Sequence, residues 1–445
     1  MRSIILSLDI GTSKIAAAAL ECKNLKALNV ISVKNQAGIP NLPEGLHEQS
    51  PEIIFEQCTK LLKEIIDSEK FAPEEVKAVA LSGQMHGLTL VDKNLKTLSN
   101  LITWCDQRSL KLTREISHFK WPFDRIGCYL HPGYGGATLS VLAKQNKIPA
   151  EAKALSIADY VAARLCGAVA IDPTNAASWG IMDIQKKCWD PEIIEYLQIP
   201  HHVLPKINKL SEVIGFLNYD LGLPQNVKIC SPIGDNQASF IGTCGFNSDS
   251  LLLNLGTGGQ ISLPCNEYCT YECLETRPAL FDEFLLVGTS LCGGRSYELL
   301  KNFYRDTVYS FTGKTLADEE LYKIMDDMIL NKSVQALEVD TSFAGTRYDS
   351  SACGKINKIG VHNFTPEALS LGTMNGMIKE LCEIVPSEII SKFNRVMASG
   401  NAVRKSPVAK EIISEILKLR CELAERKEEA VIGAALSAAK VLSLI

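Results

Sequence analysis

Hydrophobic and polar positions alternate between two kinds of pattern along this chain. IILSLDIG, from Ile4 to Gly11, is a short apolar run that ends in a turn. SKIAAAAL follows and stays apolar without the polar face of a helix. Together they predict a β-hairpin with Gly11 and Thr12 at its tip. From Pro51 to Asp67 the apolar positions Ile53, Ile54, Cys58, Leu61, Leu62 and Ile65 recur at helical spacing and predict an amphipathic helix. VKAVALSG predicts a buried strand ending at Gly83. In α/β proteins the exit of such a strand is where ligand contacts gather.

The second half repeats the opening. SLLLNLGTGGQISL is again strand, glycine turn, strand, and it shares the layout D/N-x-G-T with the first hairpin. Two such hairpins about half a chain apart suggest two related domains facing a cleft, although strand–turn–strand is a common pattern on its own. The stretch from Pro407 to Ile445 reads as helical, through KEIISEILKL and EEAVIGAALSAAKVL. These elements predict an α/β fold of two domains, residues 1–243 and 244–445.

Composition narrows the class. At 445 residues the chain is too long for one ordinary core. Its 46% hydrophobic and 22% charged residues are those of a water-soluble globular protein. A net charge of −5, with no basic cluster, argues against nucleic acid or an anionic membrane as partner. No secretory leader or membrane span is read in the sequence, which predicts a cytoplasmic protein. Fifteen scattered cysteines fit reduced thiols. Cys265, Cys269 and Cys273 are spaced widely for a zinc knuckle and read as ordinary thiols.

Several segments carry candidate chemistry. In Asp9-Ile10-Gly11-Thr12-Ser13-Lys14 a glycine turn exposes backbone N–H groups that can cradle phosphate, Lys14 adds charge, and Asp9 can hold Mg2+ through water. An ordinary β-turn fits the same residues. Gly256-Thr257-Gly258-Gly259 is a second candidate phosphate loop, without a lysine. Asp235, in Gly234-Asp235-Asn236-Gln237, follows a strand at the expected domain junction. A carboxylate there can accept a proton from an alcohol during phosphoryl transfer, with an ordinary pKa; it can equally cap a helix. Gln84, Met85 and His86, then Trp104, Asp106 and Arg108, offer the donors, acceptors and aromatic face that a polyol needs. Their plain readings are core residues and a surface ion pair. Gly400 and Asn401, in Ala398-Ser399-Gly400-Asn401, form a small-residue loop that can admit a flat base.

In this order the segments closely resemble the FGGY family of carbohydrate kinases. The marks are DIGTSK, SGQMHG, TWCDQR, GDNQA, NLGTG, the segment Phe343 to Arg347, INKIGVHNFTPEAL and ASGNA, and they run over essentially the whole chain. The resemblance implies two RNase H-like, actin-like ATPase domains with ATP and Mg2+ in the cleft between them. It implies transfer of the γ-phosphoryl group of ATP to a sugar hydroxyl. Asp235 would be the catalytic base, would touch the sugar and, with Asp9, would neighbour the metal. Gly11, Thr12, Ser13 and Lys14 would form the first phosphate loop, and Gly256, Thr257 and Gly258 the second. Gly400 and Asn401 would lie by the adenosine. Gln84, Met85, His86, Trp104, Asp106 and Arg108 would line the sugar pocket.

Within the family, SGQMHG is shared by kinases of D-xylulose and of sedoheptulose. Gly135-Gly136-Ala137-Thr138, Asn175-Ala176-Ala177-Ser178-Trp179-Gly180 and Leu291-Cys292-Gly293-Gly294 are similar to the sedoheptulose branch. They imply a seven-carbon ketose phosphorylated at its terminal hydroxyl, with D-xylulose as the alternative. A pocket for the longer sugar would have Asn175 and Trp179 facing the cleft. Ala398-Ser399 and Gln107 stand where glycines are usual in the family, and the chain is somewhat short for it. An actin-like or chaperone-like ATPase would share the phosphate hairpins without the sugar motifs. A sugar-sensing pseudoenzyme would share all of them without turnover. The expected partner is a small sugar, and the assembly considered is a homodimer.

Overall fold

A computed structural model describes residues 2–68, 70–116, 121–280, 283–330, 334–346, 349, 351–426 and 428–445. Arg347 of the Phe343–Arg347 segment lies outside them.

The predicted hairpin is formed by β1 (Ile4–Ile10) and β2 (Lys14–Glu21), and the turn closes with Gly11 N–H donating to Lys14 O at 2.9 Å. β3 (Lys26–Lys34) extends it, antiparallel to β2. Helix α1 (Pro51–Ile66) starts at the Ser50 cap, whose Oγ accepts from Ile53 N. Its buried face is Ile54, Phe55, Cys58, Leu61, Leu62 and Ile65. Ile53 was expected on that face but is 39% exposed, because it sits about one turn position off the stripe that Phe55 completes.

β4 (Val76–Gly83) runs parallel to β1. After helix α2 (Ile157–Cys166), strands β5 (Val213–Phe216), β6 (Lys228–Cys230) and β7 (Ile233–Gly234) join the same sheet. Among the described residues its order is β5-β6-β4-β1-β2-β3, with β7 also paired to β4. Helix α3 (Asp235–Cys244) follows β7 directly.

The second sheet repeats this plan. β8 (Ser250–Leu255) and β9 (Gly259–Cys265) form the second hairpin. β10 (Glu275–Pro278) and β11 (Phe284–Ser290) continue antiparallel, then helix α4 (Gly293–Thr312) and helix α5 (Pro366–Glu383) lead to β12 (Arg395–Ser399), parallel to β8. The order is β10-β11-β9-β8-β12-β13, the last strand being Arg420–Leu423. In both sheets an antiparallel trio is followed by a parallel strand on the other side of its first member. The fold is therefore α/β, with two actin-like domains.

The C-terminal stretch departs from the all-helical expectation. Helix α6 (Ala409–Leu417) ends at Lys418, whose backbone is left-handed, and β13 intervenes before helix α7 (Glu429–Val441). Cys421 is buried beside β12 and fixes the short strand in the sheet. Helix α7 leaves the second sheet and packs on the first, its Ala434, Ala435, Ala438 and Ala439 meeting Ile5, Ala16, Ala18, Ala78 and Ala80. Small residues on both surfaces allow that close approach.

Candidate active site

The register of the first sheet gathers three segments at one edge. Asp9 lies opposite Ser82 and Ile10 opposite Gly83, while Gly234 pairs with Gly83 on the other side. The ends of β1, β4 and β7 therefore emerge together. Asp9 Oδ1 accepts from Ser82 Oγ at 2.6 Å. Burial pushes the Asp9 carboxyl above its ordinary range, against the pull of that hydrogen bond and of Lys14.

Asp235 is the first helical residue of α3, after Gly234 as N-cap. Its carboxyl is pushed up to about 7, by burial first and by the charge of Asp9 second, with Arg277 opposing. The ordinary pKa expected from sequence does not hold, because the carboxyl is buried and the Asp9 charge lies close by. The entry to α3 is fixed from beneath. Thr174 Oγ1 accepts from Gly234 N–H at 2.8 Å and donates to Asp172 Oδ1 at 2.7 Å, both residues being fully buried. Removing that hydroxyl by Thr174→Val is expected to lower turnover about tenfold through loss of one buried hydrogen bond to the Asp235 turn. Thr174→Ser should restore it; steady-state kinetics of the two variants check this.

Thr12, Gln84 and Gln49 close a hydrogen-bonded ring that Trp104 joins from outside. Thr12 Oγ1 donates to Gln84 Oε1 at 2.8 Å and accepts from Trp104 Nε1 at 2.9 Å. Gln84 Nε2 donates to Gln49 Oε1, and Gln49 Nε2 to the Thr12 carbonyl, both at 2.8 Å. The ring ties the first hairpin turn to SGQMHG and to the Trp104 loop. Trp104 itself stays 48% exposed, offering its face. Ser13 is exposed. Lys14 is exposed too, but its ammonium is held by both carboxylate oxygens of Glu428 at 2.7 and 2.8 Å. Its charge is thus shared with the entry to α7.

Met85 is buried against Gly234, where an added Cβ would lie 2.7 Å from Met85 Sδ. His86 adopts φ +73°, unusual for a residue with a side chain. Ser178 holds it there: His86 N–H donates to Ser178 Oγ at 3.0 Å, and His86 Nδ1 lies 2.7 Å from Ser178 O. A carbonyl only accepts, so Nδ1 carries a proton and donates it to Ser178 O. Asp106 and Arg108 are no surface pair. Asp106 is fully buried and accepts from His47 N and from Arg108 N, Nε and Nη2, while Arg108 also reaches Glu48 Oε1 at 2.5 Å.

The second sheet brings its own loops to one end. Asn254 at the end of β8 lies opposite Ser399 at the end of β12. Thr257 and Gly258 are exposed, and Gly256 is partly so. The loop rests on the start of α4, with Gly294 N–H donating to Gly256 O at 2.8 Å. Gly400 has φ +95°, and a Cβ there would lie 2.4 Å from Leu255 O, so only glycine fits. Asn401 beside it is exposed. Ala398 and Ser399, the departures noted in the sequence, are buried strand residues and do not enter the loop.

The two sets meet through Asn236, whose Nδ2 donates to Gln260 Oε1 at 2.9 Å and to Ser262 Oγ at 3.0 Å. Asp235 is therefore one residue from a contact with the strand that leaves the second candidate phosphate loop. Sequence reasoning missed Gln49 and Thr174, single polar residues that carry no signal of their own, and Arg277, whose charge bears on Asp235 and which stands out only as a cation inside the run LETRPAL. Asn175 and Trp179 do not line the cleft. Trp179 is fully buried against Gly135 and Trp189, and Asn175 donates to Pro232 O within the core.

The oxygen-only donors Asp9 and Asp235, whose mutual repulsion a cation would relieve, fit Mg2+. The exposed loop residues Thr257 and Gly258, together with Gly400, where a Cβ is excluded, fit a nucleotide. The profile of the FGGY family of carbohydrate kinases, N-terminal domain, matches residues 4–242. The chain belongs to the FGGY family of carbohydrate kinases. It is 24% identical over 454 residues to sedoheptulokinase of Mus musculus, covering 92% of each chain. It is 27% identical over 273 residues to xylulose kinase of Haemophilus influenzae, an alignment that spans 58% of this chain and 55% of that one. The chain thus spans about half the length of some relatives it matches. In fold it is similar to the crystal structure of gluconate kinase from Lactobacillus acidophilus, with TM-score 0.87, 22% identity, and 100% of this chain and 90% of that one covered.

Proposed function

We propose that this protein transfers the γ-phosphoryl group of ATP to a terminal hydroxyl of a ketose, with Asp235 as the base. The observation that carries the reading is Asp235 itself, a carboxylate with its pKa near 7, at the helix entry where both sheets' ligand edges meet. Gln84, Met85, His86 and Trp104 form the sugar side, and the buried Asp106–Arg108 pair, read from the sequence as part of it, braces the Trp104 loop from within. Gly11, Thr12, Ser13 and Lys14, with Gly256, Thr257 and Gly258, hold the phosphates, and Gly400 with Asn401 borders the adenosine. Asp9 and Asp235 would hold Mg2+ through water, which would supply charge neutralisation on the transferring group. Asp235 orients the attacking hydroxyl and takes its proton, and enclosure between the domains keeps water from competing. The sugar-binding domain is taken as residues 1–243 and the nucleotide-binding domain as 244–445, with α7 returning to the former's sheet. Among the described residues no helix is long and apolar enough to cross a membrane.

The seven-carbon reading rests on the resemblance of its motifs, since the sedoheptulokinase and xylulose kinase alignments support the family and not one sugar over the other. The burial of Asn175 and Trp179 lends it nothing. ADP release with Mg-ATP, measured against sedoheptulose, D-xylulose, D-ribulose, L-ribulose, glycerol and a blank, tests it. Turnover on sedoheptulose alone supports the seven-carbon ketose; preference for D-xylulose keeps the kinase and removes that sugar. Activity at the blank level throughout removes these acceptors, and Mg-ATP binding then separates another sugar from a non-catalytic role.

The base also sets a pH dependence. Asp235 must be ionised to accept a proton, and its raised pKa means that ionisation is lost as pH falls through about 7. We expect kcat/KM for the sugar to fall about tenfold per pH unit below the pKa of Asp235, a point that bound Mg2+ should move below 7 by relieving the charge of Asp9. A profile flat down to pH 5 would show Asp235 ionised throughout.

A further inference from the structure

We infer that the buried Glu275–Arg277 pair on β10 is a positioning element of the sugar site, supplied by the second half of the chain. The inference rests on the reading above that Met85 and His86 line the sugar pocket. Residues two apart on a strand share a face. Arg277 Nε and Nη2 donate to Glu275 Oε2 at 3.0 and 2.6 Å, and both residues are 6% exposed.

Each end of the pair grips the first half. Tyr134 OH donates to Glu275 Oε1 at 2.7 Å. The Tyr134 ring stacks on His86, with centroids 4.1 Å apart and planes 16° from parallel. Arg277 Nη1 lies 3.9 Å from Met85 Sδ. The flanking residues fasten the same strand to the same side: Thr276 N–H donates to Gly127 O at 2.8 Å, and Gln237 Nε2 to Pro278 O at 2.9 Å. One ion pair thus sits behind two consecutive pocket residues, one of which has a backbone conformation that must be held.

A buried pair of this kind is seldom the most stable filling for its site, since apolar residues of similar volume often serve as well. What it offers is direction. Glu275 sets Tyr134 and so the tilt of the His86 ring; Arg277 sets the Met85 thioether. The sugar pocket is then complete only when β10 is docked on the first domain, and sugar affinity depends on the contact between halves.

The test uses the full chain. Arg277→Gln, Tyr134→Phe and the double variant Glu275→Gln/Arg277→Gln are compared with wild type for ketose Kd by calorimetry, for KM of ketose and of ATP, and for thermal melting. For Arg277→Gln we expect ketose Kd and KM to rise about tenfold or more, and for Tyr134→Phe about threefold, with KM for ATP within about twofold. Arg277→Lys should recover part of the loss. A merely structural pair would lower the melting temperature and leave sugar affinity unchanged, and that result in folded Tyr134→Phe and the double variant overturns the inference. Should Arg277→Gln fail to fold, those two variants decide. A wild type that binds ketose without turning it over removes the catalytic reading and leaves this one to be judged by Kd. A wild type that binds no ketose overturns both.

Discussion

Replacing Asp235 by Asn should lower kcat by about 10³–10⁴-fold while leaving the affinity for Mg-ATP within a few-fold of wild type. The amide keeps the size and the helix-entry position of the side chain, so α3 and the ring around Thr12 stay in place. It cannot take a proton from the sugar hydroxyl. Steady-state turnover with the best ketose, beside nucleotide binding by calorimetry, checks both halves of this expectation. Loss of nucleotide binding would mean that Asp235 acts mainly as a scaffold for the phosphates. Turnover within tenfold of wild type would remove it as the base.

The same substitution has an opposite effect on stability, because the native carboxyl is poorly solvated. Its folded pKa, about 7, lies above the ordinary carboxylate value near 4. Below about pH 4 both states hold the proton and the group contributes nothing. As pH rises from about 4 to 7 the unfolded chain ionises first, and native stability falls. Above about 7 the loss is complete. Three pKa units correspond to about 4 kcal/mol as a ceiling, and contact with solvent reduces this to about 1–2 kcal/mol. In the absence of Mg2+, Asp235→Asn should therefore melt higher than wild type at pH 8 and equally at pH 4. An inactive variant that is also more stable is the signature of a site strained for function.

Periodic segments were legible in the sequence. The strand Val76–Gly83 is found as read, the hairpin turn falls at Gly11, and the half-chain repeat of strand, glycine turn and strand is a repeat of sheet topology. Local pattern suffices there because each element's burial is decided by its own residues. It fails where a partner distant in sequence decides. Gln49 gives no signal alone and becomes part of the site only through Thr12 and Gln84. The pKa of Asp235 depends on Asp9, which is adjacent only because β1 and β4 are parallel and β7 joins them. Trp179, an aromatic in a family-like motif, is spent on the core because Gly135 leaves room for its ring. The sequence of α7 announces a helix rich in alanine but not which sheet it covers.

That helix is where the largest structural effect is expected. α7 crosses α3 at two glycines. A Cβ on Gly433 would lie 1.8 Å from Ala238 O, and one on Gly242 would lie 1.9 Å from Glu429 O. Both obstacles are backbone, so neither can swing aside. Gly433→Ala must push α7 away from α3, or α7 off the alanine surface of β1, β2 and β4. Overpacking of a tight crossing costs about 1–3 kcal/mol, and more where backbone is the obstacle. The melting temperature should fall by several degrees. Activity should fall further than stability, because α3 begins at Asp235 and the turn before α7 holds Glu428 against Lys14. Kinetics on the folded fraction separate the two: kcat reduced about tenfold or more in Gly433→Ala, at a temperature where it is fully folded, would show that the C-terminal helix sets the position of the base. A variant that melts early yet turns over normally when folded would confine α7 to a structural role. Gly242→Ala, meeting the same crossing from the other side, should behave alike, and adding it to Gly433→Ala should cost less than the sum, since the first separation already relieves the second contact.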